Sequence, residues 1–377
     1  MCRLKLNKGQ GYICQHPDIG AKKKEVRQDF PKRFFSNSMS KVARGGQFNK
    51  PEHPPEKGTY LLDTLGQLGN PCESRVSESL NKFHKKARRK AIARPKAIAL
   101  YRKAKEVNSP MRRAYGRSID CMDLLMQEGD TVKGRYCKAR WCPVCGANYA
   151  GQAINAYKPA IEAIGQLYFV TLTIPSVKAE RLKEAIKGLN KTFKHIRHDI
   201  MRPKFKTQFK GVRKIECNYN SDADTYNPHI HFLVGNTTPC ECLLLMALWM
   251  QENEGTLPQA QSIEKVTEAD KDKHLTEVFK YSVKDVTKDE QFIPAAHDVI
   301  YQAMYRMRVF DRVGIKKAPI DESNRMKAQI DFHPPQNEVW GYDWEKCDWT
   351  SARGQVFTGY APTTDDLTII EKMNNPL

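Results

Sequence analysis

The sequence predicts an α+β fold in which a central antiparallel sheet is flanked by helices. Residues 167–174 form an apolar run of strand length, rich in β-branched and aromatic residues. After Pro175, apolar side chains recur at helical spacing up to Ile196. Two further stretches, 210–218 and 228–234, are separated by a polar loop, and antiparallel pairing is the simplest way to connect them. Residues 243–249 predict a helix packed on this sheet, and residues 262–266 predict an edge strand.

Basic residues are concentrated in the first third of the 377-residue chain. Of the net charge of +19, residues 1–120 supply 28 Lys and Arg against 10 Asp and Glu, and the remainder holds 34 against 33. This segment predicts a nucleic-acid-binding arm that contacts phosphates and releases their counterions, although such runs also occur as solvated surface. Its predicted DNA-binding residues are Lys85, Lys86, Arg88, Arg89 and Lys90. Residues 1–80 have a composition typical of disorder, and residues 81–107 could be helical, with a break or kink at Pro95.

A cysteine cluster precedes the first predicted strand. Cys137, Cys142 and Cys145 have the spacing C-x4-C-x2-C, and Cys121 is a candidate fourth thiol, although a histidine could replace it. Four thiolates with this spacing are typical of a closed tetrahedral zinc site, which contributes folding free energy to a segment with little core of its own. The alternative is a set of ordinary buried cysteines.

Two histidines lie on one predicted strand, two residues apart. Side chains alternate along a strand, so His229 and His231 share one face while Ile230, Phe232 and Val234 point into a core on the other. Converging imidazoles of this kind could bind a divalent metal ion. The alternative is a pair of hydrogen-bonded structural histidines.

Three polar residues follow at helical spacing. Glu277, Tyr281 and Lys284 are related as i, i+4 and i+7, which places a carboxylate, a phenol and an ammonium group on one helix face. A neighbouring cation and a metal-held phosphate both favour attack by the phenolate. The alternative is the solvated face of an amphipathic helix.

In combination, these motifs resemble those of the plasmid rolling-circle replication initiators of the HUH endonuclease superfamily. In that family an apolar strand, a His-hydrophobe-His motif and a helix with Tyr-x-x-Lys occur in the order found here at 167–173, 229–231 and 281–284. The single-tyrosine class has a glutamate one helical turn before the tyrosine, where Glu277 stands. Initiators of this type also carry the same cysteine pattern just before the first strand. The resemblance covers residues 117–320, and the joint occurrence of the motifs makes it specific.

The resemblance implies a metal-dependent, site-specific single-strand DNA endonuclease and strand transferase. Tyr281 would attack the scissile phosphate at a plasmid origin, giving a 5′-phosphotyrosine link and a 3′-hydroxyl primer. Lys284 would neutralise charge near the phenolate or phosphate, and Glu277 would activate water or otherwise help to end replication. Host helicase and DNA polymerase are the further partners implied, and the DNA would reach the site as a single strand or a hairpin with an unpaired loop.

The resemblance also implies that the two histidines and an acidic or polar neighbour hold Mg²⁺ or Mn²⁺. Pairing of strands 210–218 and 228–234 would bring Glu216 close to them, so we predict Glu216 as the third ligand. Asp222 and Asp224 are the alternatives, and Glu216 could equally be a solvent-facing carboxylate.

These predictions divide the chain into a basic arm at 1–110, a zinc-binding segment at 111–150, an HUH domain at 151–320 and a tail at 321–377. No run of about 18 apolar residues occurs, which predicts a soluble, cytoplasmic bacterial protein with no membrane partner. Other interpretations of the sequence are a related transposase or relaxase, a non-catalytic zinc-containing DNA-binding regulator, and an RNA-binding protein.

Overall fold

The computed structural model describes residues 3–6, 12–15, 71–128, 131–280, 291–318 and 338–376. The chain forms two compact units, Met1–Gly69 and Asn70–Leu377. In the first unit, strands β1 (Arg3–Leu6) and β2 (Tyr12–Gln15) pair in antiparallel orientation. Across the described residues, no helix is long and apolar enough to cross a membrane.

The second unit contains the remaining helices and strands. Its helices are α1 (Pro71–Glu106), α2 (Arg112–Ile119), α3 (Pro143–Glu162), α4 (Ala179–Lys194), α5 (Arg202–Phe205), α6 (Pro239–Glu252), α7 (Lys271–Phe279), α8 (Pro294–Met304) and α9 (Thr364–Asn374). A π-helical segment, His195–Met201, joins α4 to α5. Its strands are β3 (Leu124–Glu128), β4 (Thr131–Gly134), β5 (Leu167–Thr173), β6 (Lys210–Asn220), β7 (Thr225–Gly235), β8 (Ser262–Lys265), β9 (Phe310–Val313), β10 (Val339–Asp343) and β11 (Asp348–Ser351).

A five-stranded antiparallel sheet with the order β8-β5-β7-β6-β9 forms the centre of this unit. The long hairpin β6–β7 turns at residues 221–224, where the side chain of Asn220 accepts hydrogen bonds from the amides of Asp222 and Ala223. Asp224 then adopts a left-handed backbone conformation, with φ 47°. The predicted α+β class, the antiparallel pairing and the strands β5 to β8 are confirmed.

Helices cover both faces of the central sheet. Ile230, Phe232 and Val234 are fully buried and pack with α4, α6 and α8 on one face. On the opposite face, Leu233 packs in a separate cluster with residues of α3 and α7, including Tyr157 and Phe279. The alternation along β7 therefore gives the strand two buried faces, and its histidines lie on the side of α3 and α7.

A second sheet has the order β11-β10-β3-β4 and is antiparallel throughout. Trp340 on β10 stands opposite Leu125 on β3, and both side chains are buried. The predicted tail at 321–377 therefore contributes, through its described part, half of a sheet whose other half comes from the predicted zinc-binding segment. This pairing joins segments more than 200 residues apart, which local sequence patterns do not reveal.

Helix α1 packs against the rest of the second unit. Its buried face includes Ala87, Ala93 and Leu100, and α1 contacts α2, α8 and α9. The helix continues through Pro95, where the sequence predicted a break or kink. The second half of the predicted arm at 1–110 is thus part of the same compact unit as the central sheet.

Candidate metal centres

Glu216, His229 and His231 converge on one face of the central sheet. Glu216 stands directly opposite His229 in the β6–β7 register, and the three side chains bring one ligand atom each to within 4.8 Å of one another. Nε2 of His229 lies 3.8 Å and Nε2 of His231 lies 3.6 Å from the same carboxylate oxygen of Glu216. Asp222 and Asp224, the alternative ligands, lie in the exposed turn of the hairpin. The group Glu216–His229–His231 could hold a metal ion.

Hydrogen bonds orient both imidazoles toward the carboxylate. Nδ1 of His229 donates to the carbonyl oxygen of Asn227 at 3.0 Å. Nδ1 of His231 lies 3.2 Å from the hydroxyl of Thr171, and it donates to that oxygen when Nε2 carries the lone pair that binds a cation. The ring of Phe169 stacks on His231 with centroids 5.1 Å apart. Each Nε2 is therefore presented to the site by a fixed ring.

Lys214 is a buried cation beside this group, and the sequence analysis missed it. Its ammonium forms an ion pair with Glu216 and donates to the backbone carbonyl of Glu277 at 3.1 Å. Burial lowers the pKa of Lys214 despite the opposing effect of Glu216. Burial opposes ionisation of Glu216, but contacts with His229 and His231 and the charge of Lys214 outweigh it and hold the pKa of Glu216 well below its usual value. The spacing of Lys214 and Glu216 on one strand could have indicated that they share a face.

Helix α7 ends close to this cluster. It stops at Phe279, and Lys280 has an extended backbone with φ −60° and ψ 167°. Glu277 lies in the last turn, where a carboxylate oxygen accepts a hydrogen bond from the ammonium of Lys280 at 2.6 Å. Tyr281 and Lys284 lie outside the described residues, so their predicted place on one helix face with Glu277 remains a prediction. The described helix ends before it reaches Tyr281.

The donor set of this group fits a catalytic cation better than a structural one. Two imidazoles and a carboxylate supply three ligands, which leaves positions on an ion for a substrate oxygen or water. A carboxylate with open oxygen positions suits Mg²⁺ and Mn²⁺, and the imidazoles also admit softer ions.

Four thiols form a second group that could hold a metal ion. The Sγ atoms of Cys121, Cys137, Cys142 and Cys145 all lie within 4.8 Å of one another. Cys145 Sγ is 3.6 Å from both Cys121 Sγ and Cys137 Sγ. Tetrahedral zinc with Zn–S bonds of about 2.3 Å places its sulfurs about 3.8 Å apart, so this spacing suits that ion. The predicted fourth thiol, Cys121, joins the group.

Local structure positions these thiols. Cys142 is the N-cap of α3 and Cys145 lies in its first turn, while the amide of Cys137 donates to the sulfur of Cys121 at 3.4 Å. Hydrogen bonds from Cys121 and the other two thiols lower the pKa of Cys137, which favours the thiolate form that binds metal. The cluster packs in the same core as Trp340 and Trp349, between α1 and the second sheet.

The predicted DNA-binding residues on α1 do not form one exposed surface. The prediction is wrong for Lys90, which is completely buried, pairs with Asp123 and lies 4.6 Å from the centre of the Trp344 ring. Arg88 is half-exposed but pairs with Asp366 of α9. Lys85 is exposed, and Arg89 is half-buried. Lys86 is partly buried, and this burial lowers the pKa of its ammonium. A run of basic residues in the sequence cannot show which of them are buried, because the partners of Lys90 come from distant segments.

We expect Lys214→Met to lower the free energy of unfolding by about 3 kcal/mol in metal-free protein, because the carboxylate of Glu216 would remain buried without its cation. Mn²⁺ should restore part of this loss, since a cation held by Glu216 and the histidines replaces the missing charge. Urea unfolding with and without Mn²⁺ measures both effects. Lys210→Met, at an exposed position of the same strand, should change stability by less than about 0.5 kcal/mol. Equal stability of the two variants would contradict the conclusion that Lys214 neutralises the buried carboxylate of Glu216.

Comparison with known proteins places the chain among replication proteins. The family model described as Replication protein, Rep_1, matches residues 129–237. The chain is 31% identical over 180 residues to Protein rep of Staphylococcus aureus, in an alignment that covers 43% of this chain and 76% of that protein. It is 32% identical over 133 residues to Protein rep of a Bacillus species, and 33% identical over 135 residues to Protein rep of Bacillus amyloliquefaciens. These two alignments each cover 31% of this chain, and 41% and 38% of the relatives. No solved structure gives a significant match.

The α+β fold with its two candidate metal centres thus belongs to a replication protein. The chain is a member of the Rep family, the plasmid replication initiators. The matched region, residues 129–237, contains three of the four clustered thiols and all three residues of the Glu216–His229–His231 group.

Proposed function

We propose that this replication initiator nicks one DNA strand at a plasmid origin by a metal-assisted attack of Tyr281. The observation that carries the proposal is the Glu216–His229–His231 group, joined through Lys214 to the C-terminal end of α7. Lys280, the residue that precedes Tyr281 in the sequence, pairs through its ammonium with the carboxylate of Glu277. The carbonyl oxygen of Glu277 is 3.1 Å from the ammonium of Lys214, so the described end of α7 lies beside the group, and this supports the proposal.

The chemistry assigns a separate role to each residue. The hydroxyl oxygen of Tyr281 forms a bond to phosphorus while the bond from phosphorus to the 3′ oxygen breaks, and the leaving oxygen takes up a proton. The products are a 5′-phosphotyrosine link and a 3′-hydroxyl that primes synthesis. Glu216, His229 and His231 would hold Mg²⁺ or Mn²⁺, which stabilises charge on a phosphate oxygen when bound. Lys214 fixes the carboxylate of Glu216 and the end of α7.

Two further residues take roles implied by the family resemblance. Lys284 neutralises charge near the phenolate or the phosphate, and Glu277 assists the step that ends a replication round. The partly exposed carboxylate of Glu277 supports this role, because its ion pair with Lys280 holds it at the end of α7. The four clustered thiols would hold Zn²⁺ as a structural ion. A host helicase would unwind the duplex, and a host DNA polymerase would extend the primer. The substrate is origin DNA presented as a single strand or an extruded hairpin with an unpaired loop.

Incubation of the purified protein with a supercoiled plasmid that carries its cognate origin tests this function. With Mn²⁺ or Mg²⁺, the protein should convert the supercoiled form to an open circle with a free 3′-hydroxyl, and excess EDTA should prevent the conversion. A plasmid without the origin serves as the control. Binding to the origin plasmid without any metal-dependent nicking would contradict the proposal and would favour the non-catalytic regulator.

A further inference from the structure

A basic groove lies outside the Glu216–His229–His231 group and borders the thiol cluster at Cys137. It has a volume of about 880 Å³ and is bounded by α2, the loop between Cys137 and Cys142, the first turns of α4, and α8 with the residues that follow it. The cationic side chains around it come from four different segments of the chain. They are Arg113, Arg117, Lys138, Arg140, Lys183 and Arg306.

Among the described residues that line this groove, cationic side chains outnumber acidic ones by six to one. All six cationic residues are exposed, and Glu180 is the acidic residue among those that line the groove. Among the described residues, no ion pair involves Arg113, Arg117, Lys138 or Lys183. Mutually repelling cations held together without partner carboxylates are costly to the isolated protein and favourable to a polyanion.

Local structure fixes the positions of these cations. Arg113 and Arg117 are one helical turn apart on α2, while Tyr115 and Ser118 of the same helix are buried. Lys138 adopts a left-handed backbone conformation with φ 58°, directly after the thiol ligand Cys137. The thiol cluster therefore anchors the loop that carries Lys138 and Arg140 at one side of the groove.

Aromatic side chains accompany the charges. Tyr305, which lines the groove, is 49% exposed, and the guanidinium of Arg306 lies 5.2 Å from the centre of its ring. Trp141 is half-buried and packs at 5.5 Å from Tyr115 and 5.7 Å from Tyr301. A positively charged groove with an accessible aromatic ring is the combination on which single-stranded nucleic acids bind, through phosphates and a stacked base.

We propose that this groove binds single-stranded origin DNA that flanks the nicked linkage. The inference rests on the proposed function, and it identifies the surface that holds the substrate. Helix α4, which supplies Lys183, begins six residues after Thr173, and Thr173 stands opposite His229 in the β5–β7 register. The groove thus lies toward the end of the sheet at which His229 is placed, but on the face covered by α4 and α8, whereas the side chain of His229 lies on the face of α3 and α7.

Equilibrium binding of a fluorescein-labelled single-stranded oligonucleotide, followed by fluorescence anisotropy, tests the groove. Measurements are made in EDTA with Tyr281→Phe protein, so strand cleavage plays no part. Arg113→Gln with Arg117→Gln should weaken binding on the order of 10-fold at about 0.1 M salt, and should reduce the slope of log K against log salt by about 1.4, since each phosphate contact to a single strand contributes about 0.7. Tyr305→Ala should weaken binding by about 10-fold with an unchanged slope, because stacking is not ionic.

A matched pair of surface lysines supplies the control. Lys191→Gln with Lys194→Gln removes the same charge from exposed positions in the last turn of α4, away from the groove. This double variant should have nearly the same affinity for the oligonucleotide, and the same slope of log K against log salt, as the protein without it. Equal losses in the control and groove variants, or no loss in the Arg113 and Arg117 variant, would overturn the inference. A duplex of the same sequence that competes as well as the single strand would also overturn it.

The experiments distinguish an error in the inferred DNA binding by the groove from an error in the proposed nicking by Tyr281. If Tyr281→Phe still nicks plasmid DNA while the groove variants lose oligonucleotide binding, the proposed catalytic role of Tyr281 is wrong and the proposed DNA binding by the groove is supported. If the groove variants bind normally while nicking requires Tyr281, only the groove inference is wrong.

Discussion

Tyr281→Phe should abolish the covalent protein–DNA adduct and reduce the nicking rate on the order of 10⁴-fold. The substitution removes only the hydroxyl oxygen that forms the bond to phosphorus, so no other side chain can supply the same nucleophile at the same place. Binding of origin DNA should persist, because the aromatic ring and all charged residues remain. The measurement is a single-turnover assay with end-labelled origin oligonucleotide and Mn²⁺, followed by denaturing electrophoresis of the adduct.

Tyr219→Phe is the control for this experiment. The hydroxyl of Tyr219 donates to Asp224 at 2.9 Å in the hairpin turn of β6–β7, at the exposed end of the hairpin. We expect its removal to leave the nicking rate within about 2-fold of the native rate. A Tyr281→Phe protein that still forms an adduct would exclude Tyr281 as the nucleophile.

The combined variant His229→Ala, His231→Ala should reduce nicking by about 10³-fold and abolish stable Mn²⁺ binding at the site. Both imidazoles present Nε2 to one oxygen of Glu216, and their Nδ1 atoms are held by Asn227 and Thr171, so the pair acts as a preorganised ligand set. Removal leaves a single carboxylate, which cannot position a cation against a phosphate oxygen. The Mn²⁺ signal in electron paramagnetic resonance gives the metal affinity, and the single-turnover assay gives the rate.

A second histidine pair controls for the number of imidazoles removed. His195 and His198 have exposed side chains on the π-helical segment after α4, where both contact Asp199. Their replacement by alanine should leave Mn²⁺ binding and nicking unchanged. Since His229 is buried, His229→Gln provides a variant of similar size, and its thermal unfolding should stay close to that of the native protein while Mn²⁺ binding falls. Full nicking activity in the His229, His231 variant would contradict a metal role for the pair.

The central sheet and the metal ligands on it could be predicted because their signals are local. The alternation of His229, Ile230 and His231 gives the two faces of β7, and the short polar turn fixes antiparallel pairing with β6. That register alone places Glu216 opposite His229. The thiol cluster follows in the same way from spacing within about 25 residues, and the structure brings Cys121 to the other three thiols.

The burial of Lys90, the second sheet and the role of Lys214 could not be predicted, because they depend on contacts between distant segments. Lys90 is part of a charge run in the sequence, but Asp123 and Trp344 bury it. Trp340 pairs across more than 200 residues with Leu125, which converts a predicted tail into half of a sheet. Lys214 has no motif of its own, and its role follows from a backbone carbonyl of α7. Such contacts carry no periodic signal in the sequence.

Peptide mapping of the covalent adduct tests the central claim most directly. After cleavage of a labelled origin oligonucleotide in Mn²⁺, the protein is digested with trypsin and nuclease, and the modified peptide is sequenced by tandem mass spectrometry. The account predicts one nucleotide-modified tyrosine, at Tyr281. An adduct on any other residue, or cleavage that leaves no adduct when the reaction is stopped during the first turnover, would contradict it.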